Sequence, residues 1–388
     1  MKLEFYNCPQ PEEFNKALIK DAPAFLDYRP DFSKIHSITE EYKKYKNIVV
    51  IGHGGSITSL QGMYYALHQF STKHLYIVST IDPDYIAELK KSIHPQNTLV
   101  IAISKSGETV TQIEALLQFA EFPLLAITSS MGPLLDVAKQ LLGRVVLHPP
   151  IGGRFSGMTE VALLPAAICG LEVEAIYNGA QVWYKQFADN NAAYQAASIL
   201  RQLEDRGTVD VFMPIYDSHL FPLSSLIVQL CHESFGKDGE GQTYFTHHAP
   251  ESQHHTNQRF FGGRKNIAGW FMATDQPLTD AITTVPKGLQ NIPLKDNHML
   301  ALDGIPLSAA LRAEMYGTLE DARLQNIPVI AQSIPQRTPQ EVGGLIAFWQ
   351  LYAVYSALLR NVDPYNQPQV ENSKKISFAK RLQQKGLI

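Results

Sequence analysis

The sequence predicts a two-lobed α/β protein with mainly parallel sheets. Short apolar runs alternate with amphipathic stretches from about residue 46. The same rhythm returns after about residue 206, and glycine-bearing turns follow several of the apolar runs. Strands covered on both faces read as near-continuous apolar runs, not as alternating patterns. Asn47-Ile48-Val49-Val50-Ile51-Gly52, His74-Leu75-Tyr76-Ile77-Val78, Thr98-Leu99-Val100-Ile101-Ala102-Ile103 and Pro123-Leu124-Leu125-Ala126-Ile127-Thr128 are runs of that kind. Helical patterns fall between them near 57–69, 84–92, 109–120 and 132–141, giving a sheet with helices on both faces.

Gly152-Gly153-Arg154 opens a long apolar helix near 157–170, and a helical stretch continues to about 206. Val209-Asp210-Val211-Phe212-Met213 then reads as a strand followed by a helix near 219–234. Further strands are expected near 265–272 and 327–332, with helices near 308–324 and 338–360. The expected organisation is an irregular, helix-containing lead-in (1–45), a first doubly wound lobe (46–175), a second (176–360) and a C-terminal helical tail (361–388).

Composition excludes several classes. The 388 residues carry a formal charge of −4, too small for a dedicated polyanion or membrane surface, so an anionic ligand needs local groups. Cys8, Cys169 and Cys231 are far apart, with neither a zinc-knuckle nor a disulfide pattern, which suits free thiols in a reducing compartment. Met1-Lys2-Leu3-Glu4 lacks a signal pattern, and no uncharged apolar run is read as reaching membrane-spanning length; a cytoplasmic protein is expected. His247, His248, His254 and His255 cluster, but their spacing matches no metal-ligand motif, so no metal is expected. No basic groove points to nucleic acid.

Ser104-Lys105-Ser106-Gly107-Glu108-Thr109 lies between a buried strand and a helix. Ligands of parallel sheets gather at the carboxyl ends of strands, and a helix N-terminus there offers unpaired N–H groups to an anion. Ser104, Ser106 and Thr109 add hydroxyls, and Gly107 permits close approach. One such residue would be an ordinary cap; three around a glycine favour a phosphate. A second turn, Gly52-His53-Gly54-Gly55-Ser56, again joins strand to helix, and Ser56 can donate to a ligand. It has neither the GxGxxG spacing nor a P-loop GKS/T, so a compact phosphate ester fits better than a nucleotide.

These loops resemble those of sugar-isomerase (SIS) domains. Gly152-Gly153-Arg154-Phe155-Ser156, His232-Glu233-Ser234-Phe235-Gly236-Lys237, Pro250-Glu251-Ser252-Gln253-His254 and Gln367-Pro368-Gln369-Val370-Glu371-Asn372-Ser373-Lys374 are similar, in order, to four motifs of the glucose-6-phosphate isomerase family. The resemblance implies two SIS-type lobes, a homodimer with a shared site, no cofactor, and interconversion of glucose 6-phosphate and fructose 6-phosphate through an enediolate. Another phosphosugar such as mannose 6-phosphate, or a non-catalytic sugar-phosphate sensor, are the alternatives.

Gln229 and Glu233 are four apart on one apolar helix and so share a face. The resemblance makes Glu233 the base, Arg154 the cation facing the enediolate, and His254 (from the neighbouring subunit) and Lys374 the ring-opening groups. Gly55, Ser56, Ser104, Lys105, Ser106, Thr109, Gln229 and Gln367 are the expected substrate contacts. Gln367 and Lys374, seven apart, are expected on one face of a helix started by Pro368, with Lys375, Lys380, Arg381 and Lys385 solvated. His53, Glu108 and Phe235 depart from the family's usual residues.

Overall fold

The structure is a computed structural model describing residues 1–387. The chain opens with strand β1 (Lys2–Tyr6) and helix α1 (Phe32–Tyr42), which Asp31 caps by accepting from the Lys34 N–H at 3.0 Å. A regular alternation follows: β2 (Asn47–Ile51), α2 (Thr58–Leu67), β3 (His74–Val78), α3 (Pro83–Ser92), β4 (Thr98–Ser104), α4 (Val110–Leu117), β5 (Leu124–Thr128), α5 (Pro133–Gln140) and β6 (Arg144–Leu147). These five strands form a parallel sheet in the order β3-β2-β4-β5-β6.

Three helices, α6 (Glu160–Ile168), α7 (Val173–Tyr184) and α8 (Ala192–Asp205), lead to β7 (Asp210–Ile215). Then come α9 (Ser224–Phe235), β8 (Thr243–His248), α10 (Thr256–Gly262), β9 (Ile267–Thr274), a small hairpin of β10 (Pro293–Leu294) and β11 (Asn297–His298), and α11 (Leu307–Leu324). β12 (Val329–Ile334), α12 (Pro339–Leu359) and α13 (Glu371–Gln384) close the chain. The second sheet runs β1-β12-β9-β7-β8 and is parallel except for β1.

Both lobes wind as expected, because their central strands are continuous apolar runs buried on both faces. Five strands escape the sequence reading: the two of the small β10–β11 hairpin, and three in the main sheets. β1 lies in what reads as an irregular lead-in, yet it pairs antiparallel with β12, Lys2 opposite Ser333. Its Leu3 and Phe5 pack on the core, while Lys2 and Glu4 stay exposed. β6 is only four residues long, and β8 is a polar edge strand ending in His247 and His248, so neither supplies a buried apolar run.

One expectation is corrected at α12. The sequence is uncharged from Val342 to Leu359, and this helix alone, among the described residues, is long and apolar enough to span a membrane. It is buried almost throughout, packed by α7, α8 and α9, because a helix apolar on every side needs cover on every side. Gly179 and Gly343 make the α7–α12 approach possible. A Cβ on Gly343 would lie 1.8 Å from the Ile176 carbonyl oxygen, and one on Gly179 would lie 1.9 Å from that of Gln340.

Candidate active site

Helix α9 buries Leu226, Ile227, Leu230 and Cys231, leaving Gln229 and Glu233 on a half-buried face. Their one-turn spacing is realised as a contact: the Gln229 amide Nε2 donates to Glu233 Oε1 at 3.1 Å. Gln229 is itself held by Thr58 Oγ1, which donates to its Oε1 at 3.0 Å.

Arg154 sits in the tight turn Gly153–Met158, and its side chain is 4% exposed. Its Nη1 donates to Glu233 Oε2 at 2.8 Å and to Gln367 Oε1 at 2.9 Å. Nε donates to Ser234 Oγ at 3.0 Å, and Nη2 to the carbonyls of Pro364 and Asn366 at 2.6 and 3.2 Å. Burial lowers the guanidinium's pKa from its ordinary value while the Glu233 carboxylate opposes that shift, and the group keeps its charge. Glu233 thus lies between a fixed cation and a fixed amide, with its side chain still one-third exposed. A carboxylate in such a setting can take a proton from a bound molecule and return it.

The glycine loop abuts this pair. A Cβ on Gly55 would fall 2.0 Å from Gly153 C and 2.3 Å from Arg154 N, so only glycine permits the packing. Gly54 has φ +50° and lies against the Gln229 amide. The His53 ring Nε2 is 2.9 Å from Thr111 Oγ1 in the first turn of α4, tying the glycine loop to the helix behind the second loop. In that second loop Gly107 has φ +70° and its N–H donates to the buried Ser104 Oγ at 3.2 Å. Ser104 Oγ lies 3.4 Å from Thr109 Oγ1, while Lys105, Ser106 and Glu108 are exposed. Exposure places the Glu108 carboxylate in water, where its charge is screened.

The structure therefore brings Arg154, Glu233, Gln229, Gln367 and Gly55 into one place, with the 104–109 turn joined to them through His53 and the adjacent strands β2 and β4. Ser56, half-buried, follows Gly55 in the same turn. It does not bring in His254 or Lys374. His254 is exposed and follows the far end of β8, whereas Glu233 precedes its near end. Six residues of strand separate them by about 20 Å. Lys374 projects from α13 and pairs with Glu371 at 2.7 Å, more than half exposed.

Two tail expectations are corrected. Gln367 is not on a helix face with Lys374: it precedes the short turn Pro368–Val370, with extended φ of −154°, and α13 starts only at Glu371. Arg381 is not simply solvated; Nε and Nη2 grip both Glu114 oxygens on α4 at 2.7 and 2.9 Å.

The sequence reading assigned no role to three supporting residues. Thr58 and Ser234 hold Gln229 and Arg154, as described. The buried Lys237 Nζ donates to the Asp363 and Asn366 carbonyls at 2.5 and 2.7 Å, shaping the turn that delivers Gln367. Its adjacency to Glu233 in the motif was the available signal. Phe235 is a core residue, edge-on to Tyr244 and Tyr352 with the Arg360 guanidinium 4.6 Å from its ring centre.

His53, His148 and His232 all have pKa values lowered from 6.5, burial being the largest cause in each. His232 also accepts the Tyr244 N–H through Nε2 at 2.9 Å, a bond only the neutral ring makes. Below pH 6.5 the unfolded chain takes up these protons first, so this stabilisation is present above 6.5 and lost as pH falls. The melting temperature is expected to fall as pH drops from 6.5 toward about 5. A melting temperature that rises over that interval in scanning calorimetry would contradict it.

Fold and site define a two-lobed, doubly wound α/β protein with a carboxylate–guanidinium pair set beside a phosphate-type loop. Residues 32–141 match the family model described as phosphoglucose isomerase. The chain is 28% identical to glucose-6-phosphate isomerase from Fusobacterium nucleatum, over 92% of this chain and 85% of that protein. It is also 28% identical to glucose-6-phosphate isomerase from Carboxydothermus hydrogenoformans, over 91% and 83%. The chain is thus similar to glucose-6-phosphate isomerases over most of its length, and to the phosphoglucose isomerase family model over residues 32–141 of its first lobe. Among solved structures, a hypothetical protein from Thermus thermophilus superposes with TM-score 0.82 at 25% identity, covering 95% of this chain and 92% of that one. A glucose-6-phosphate isomerase from Chlamydia trachomatis shares the fold, with TM-score 0.76 at 20% identity, over 97% and 81%.

Proposed function

We propose that the protein interconverts glucose 6-phosphate and fructose 6-phosphate, with Glu233 as the base. The observation that carries this is the Glu233 carboxylate fixed between Arg154 and Gln229, one-third exposed and adjoining the glycine loop. The phosphate lies on the 104–109 turn, held by Ser104, Lys105, Ser106 and Thr109 at the N-terminus of α4. Ser56 and the Gly55 backbone face the sugar. Glu233 removes the C2 proton and returns it to C1 on the same face. Arg154, already immobilised, stabilises the enediolate charge without reorganising. Gln367 fixes the guanidinium on its remaining side.

Ring opening is assigned to His254 and Lys374. The distance of His254 from Glu233 within the chain supports a homodimer in which each site takes its histidine from the partner subunit. No cofactor takes part. The three free thiols, two of them buried, suit a cytoplasmic protein.

The decisive experiment follows fructose 6-phosphate by NMR in D2O: isomerisation with solvent deuterium entering C2 of the product is expected. Binding without exchange would leave only a sugar-phosphate sensor, and faster turnover of mannose 6-phosphate would change the substrate. Ser106→Ala and Thr109→Ala should each raise KM about tenfold through a lost hydrogen bond to a charged group, with kcat little changed. An unchanged KM in both removes the phosphate from this turn. Finally, Glu233→Gln and His254→Ala chains, each inactive alone, should regain about a quarter of normal activity when unfolded and refolded as an equal mixture, since half the dimers then hold one intact site. No recovery would confine each site to one chain.

A further inference from the structure

The two sheets share one winding. In the first lobe the strand order β3-β2-β4-β5 puts the reversal of winding at β2 and β4, and the glycine and phosphate-type loops follow those two strands. In the second lobe the order β8-β7-β9-β12 repeats that pattern, so the matching crevice lies beyond the carboxyl ends of β7 and β9. A cavity of about 370 Å³ lies there, lined by residues 216–219 after β7, Ala273 and Thr274 at the end of β9, 277–281 beyond it, the start of α11, and Arg337 after β12. That volume is within the range of small-molecule sites.

Its chemistry differs from that of the first crevice. Asp275-Gln276-Pro277 follows β9 where Lys105-Ser106-Gly107 follows β4, and Pro277 has no N–H to offer. There is no cradle for a phosphate, so recognition falls to side chains. Both acids at the crevice are committed. Asp217 accepts from the His219 N–H at 2.9 Å and from Thr274 Oγ1 at 2.5 Å, and Asp280 accepts from the Ser308 N–H and hydroxyl at 3.0 and 2.6 Å.

The guanidiniums are not fully used. Arg337 has a side chain only 9% exposed, and its Nη1 serves the Ala66 carbonyl and Gln69 Oε1. Its Nε is ion-paired with Asp217 Oδ2 at 3.1 Å, and no acceptor meets Nη2 among the described residues. Arg312, exposed at the rim, makes a single hydrogen bond among the described residues, from Nη1 to the Asp275 carbonyl at 3.1 Å. Facing them is an apolar wall that includes Leu278, Leu307, Leu311 and Met315.

We propose that this second-lobe crevice binds a small carboxylate with an apolar body, its head on Arg337 Nη2 and the spare N–H groups of Arg312 and its body against α11. A planar carboxylate suits a guanidinium fork without any backbone cradle. The site is separate from the one that holds Glu233 and does not depend on the reaction proposed there.

The test is titration of the full-length protein with benzoate, phenylacetate and hexanoate, with benzamide as the uncharged control, in saturating fructose 6-phosphate. At least one carboxylate should bind saturably while benzamide does not. Arg312→Gln should weaken that binding about tenfold, the size of one lost charged hydrogen bond. Leu311→Trp, which fills the wall, should abolish it while isomerase activity and melting temperature stay near normal. The proposal is overturned if none of the three carboxylates saturates, if benzamide binds equally well, if fructose 6-phosphate displaces the probe, or if Leu311→Trp binds like the parent protein.

Discussion

Glu233→Gln is expected to lower kcat for fructose 6-phosphate by about 10³- to 10⁴-fold, the upper range for loss of a positioned general base, with KM within a few-fold of normal. The substitution keeps shape but not chemistry. The new amide oxygen can still accept from Arg154. Its NH₂ must then face the Gln229 NH₂, which cannot turn away without breaking its bond from Thr58 Oγ1. Arg154 retains Ser234, Gln367 and the backbone carbonyls, so the turn at 153–158 should stand and the protein should fold. Steady-state kinetics in an enzyme-coupled assay decides the matter. Activity within tenfold of the parent would mean that another group moves the proton.

Gly55→Ala should be the most disruptive single methyl in the site. Its Cβ would meet Gly153 C at 2.0 Å, Arg154 N at 2.3 Å and Gly153 O at 2.4 Å. All three are backbone atoms, so no rotamer change relieves the overlap, and the glycine loop must part from the Arg154 turn. The expected cost is about 3–5 kcal/mol of stability, in the range of severe overpacking. Activity should fall about 100-fold where the protein still folds, because Arg154 then loses its position relative to the sugar. Gly153→Ala provides the contrast: its Cβ would meet the Gly55 Cα at 3.5 Å, an ordinary contact, so a loss under about 1 kcal/mol is expected. Urea denaturation of both variants checks the pair, and equal losses would rule out the close approach at Gly55.

Much of the fold was legible because the two sheet centres are apolar on both faces. β2, β4 and β5 announce themselves as unbroken runs, and the helices between them keep helical periodicity. What hid was whatever drew its stability from a distant partner. β8 is polar because it is an edge, and β1 reads as an irregular lead-in because its pairing lies with β12. The Gln229–Glu233 contact was readable, since helix geometry alone brings residues one turn apart together. The Arg154–Glu233 pair was only implied by resemblance, as no local rule joins positions so far apart in the chain. Gln367 went astray because Pro368 opens a single tight turn, not the tail helix itself.

The pairing of Lys2 with Ser333 has a consequence for how the molecule is made. β1 has its docking place on β12, a strand synthesised long after it. The second sheet stays open along that flank until β12 emerges, and closing so long a loop makes this a late step in assembly. Until then the bare backbone edge of β9, rich in Trp270, Phe271 and Met272, is where two unfinished chains would stick together. An extension fused to Met1, even one far from the catalytic cleft, would burden the last seam to be sewn.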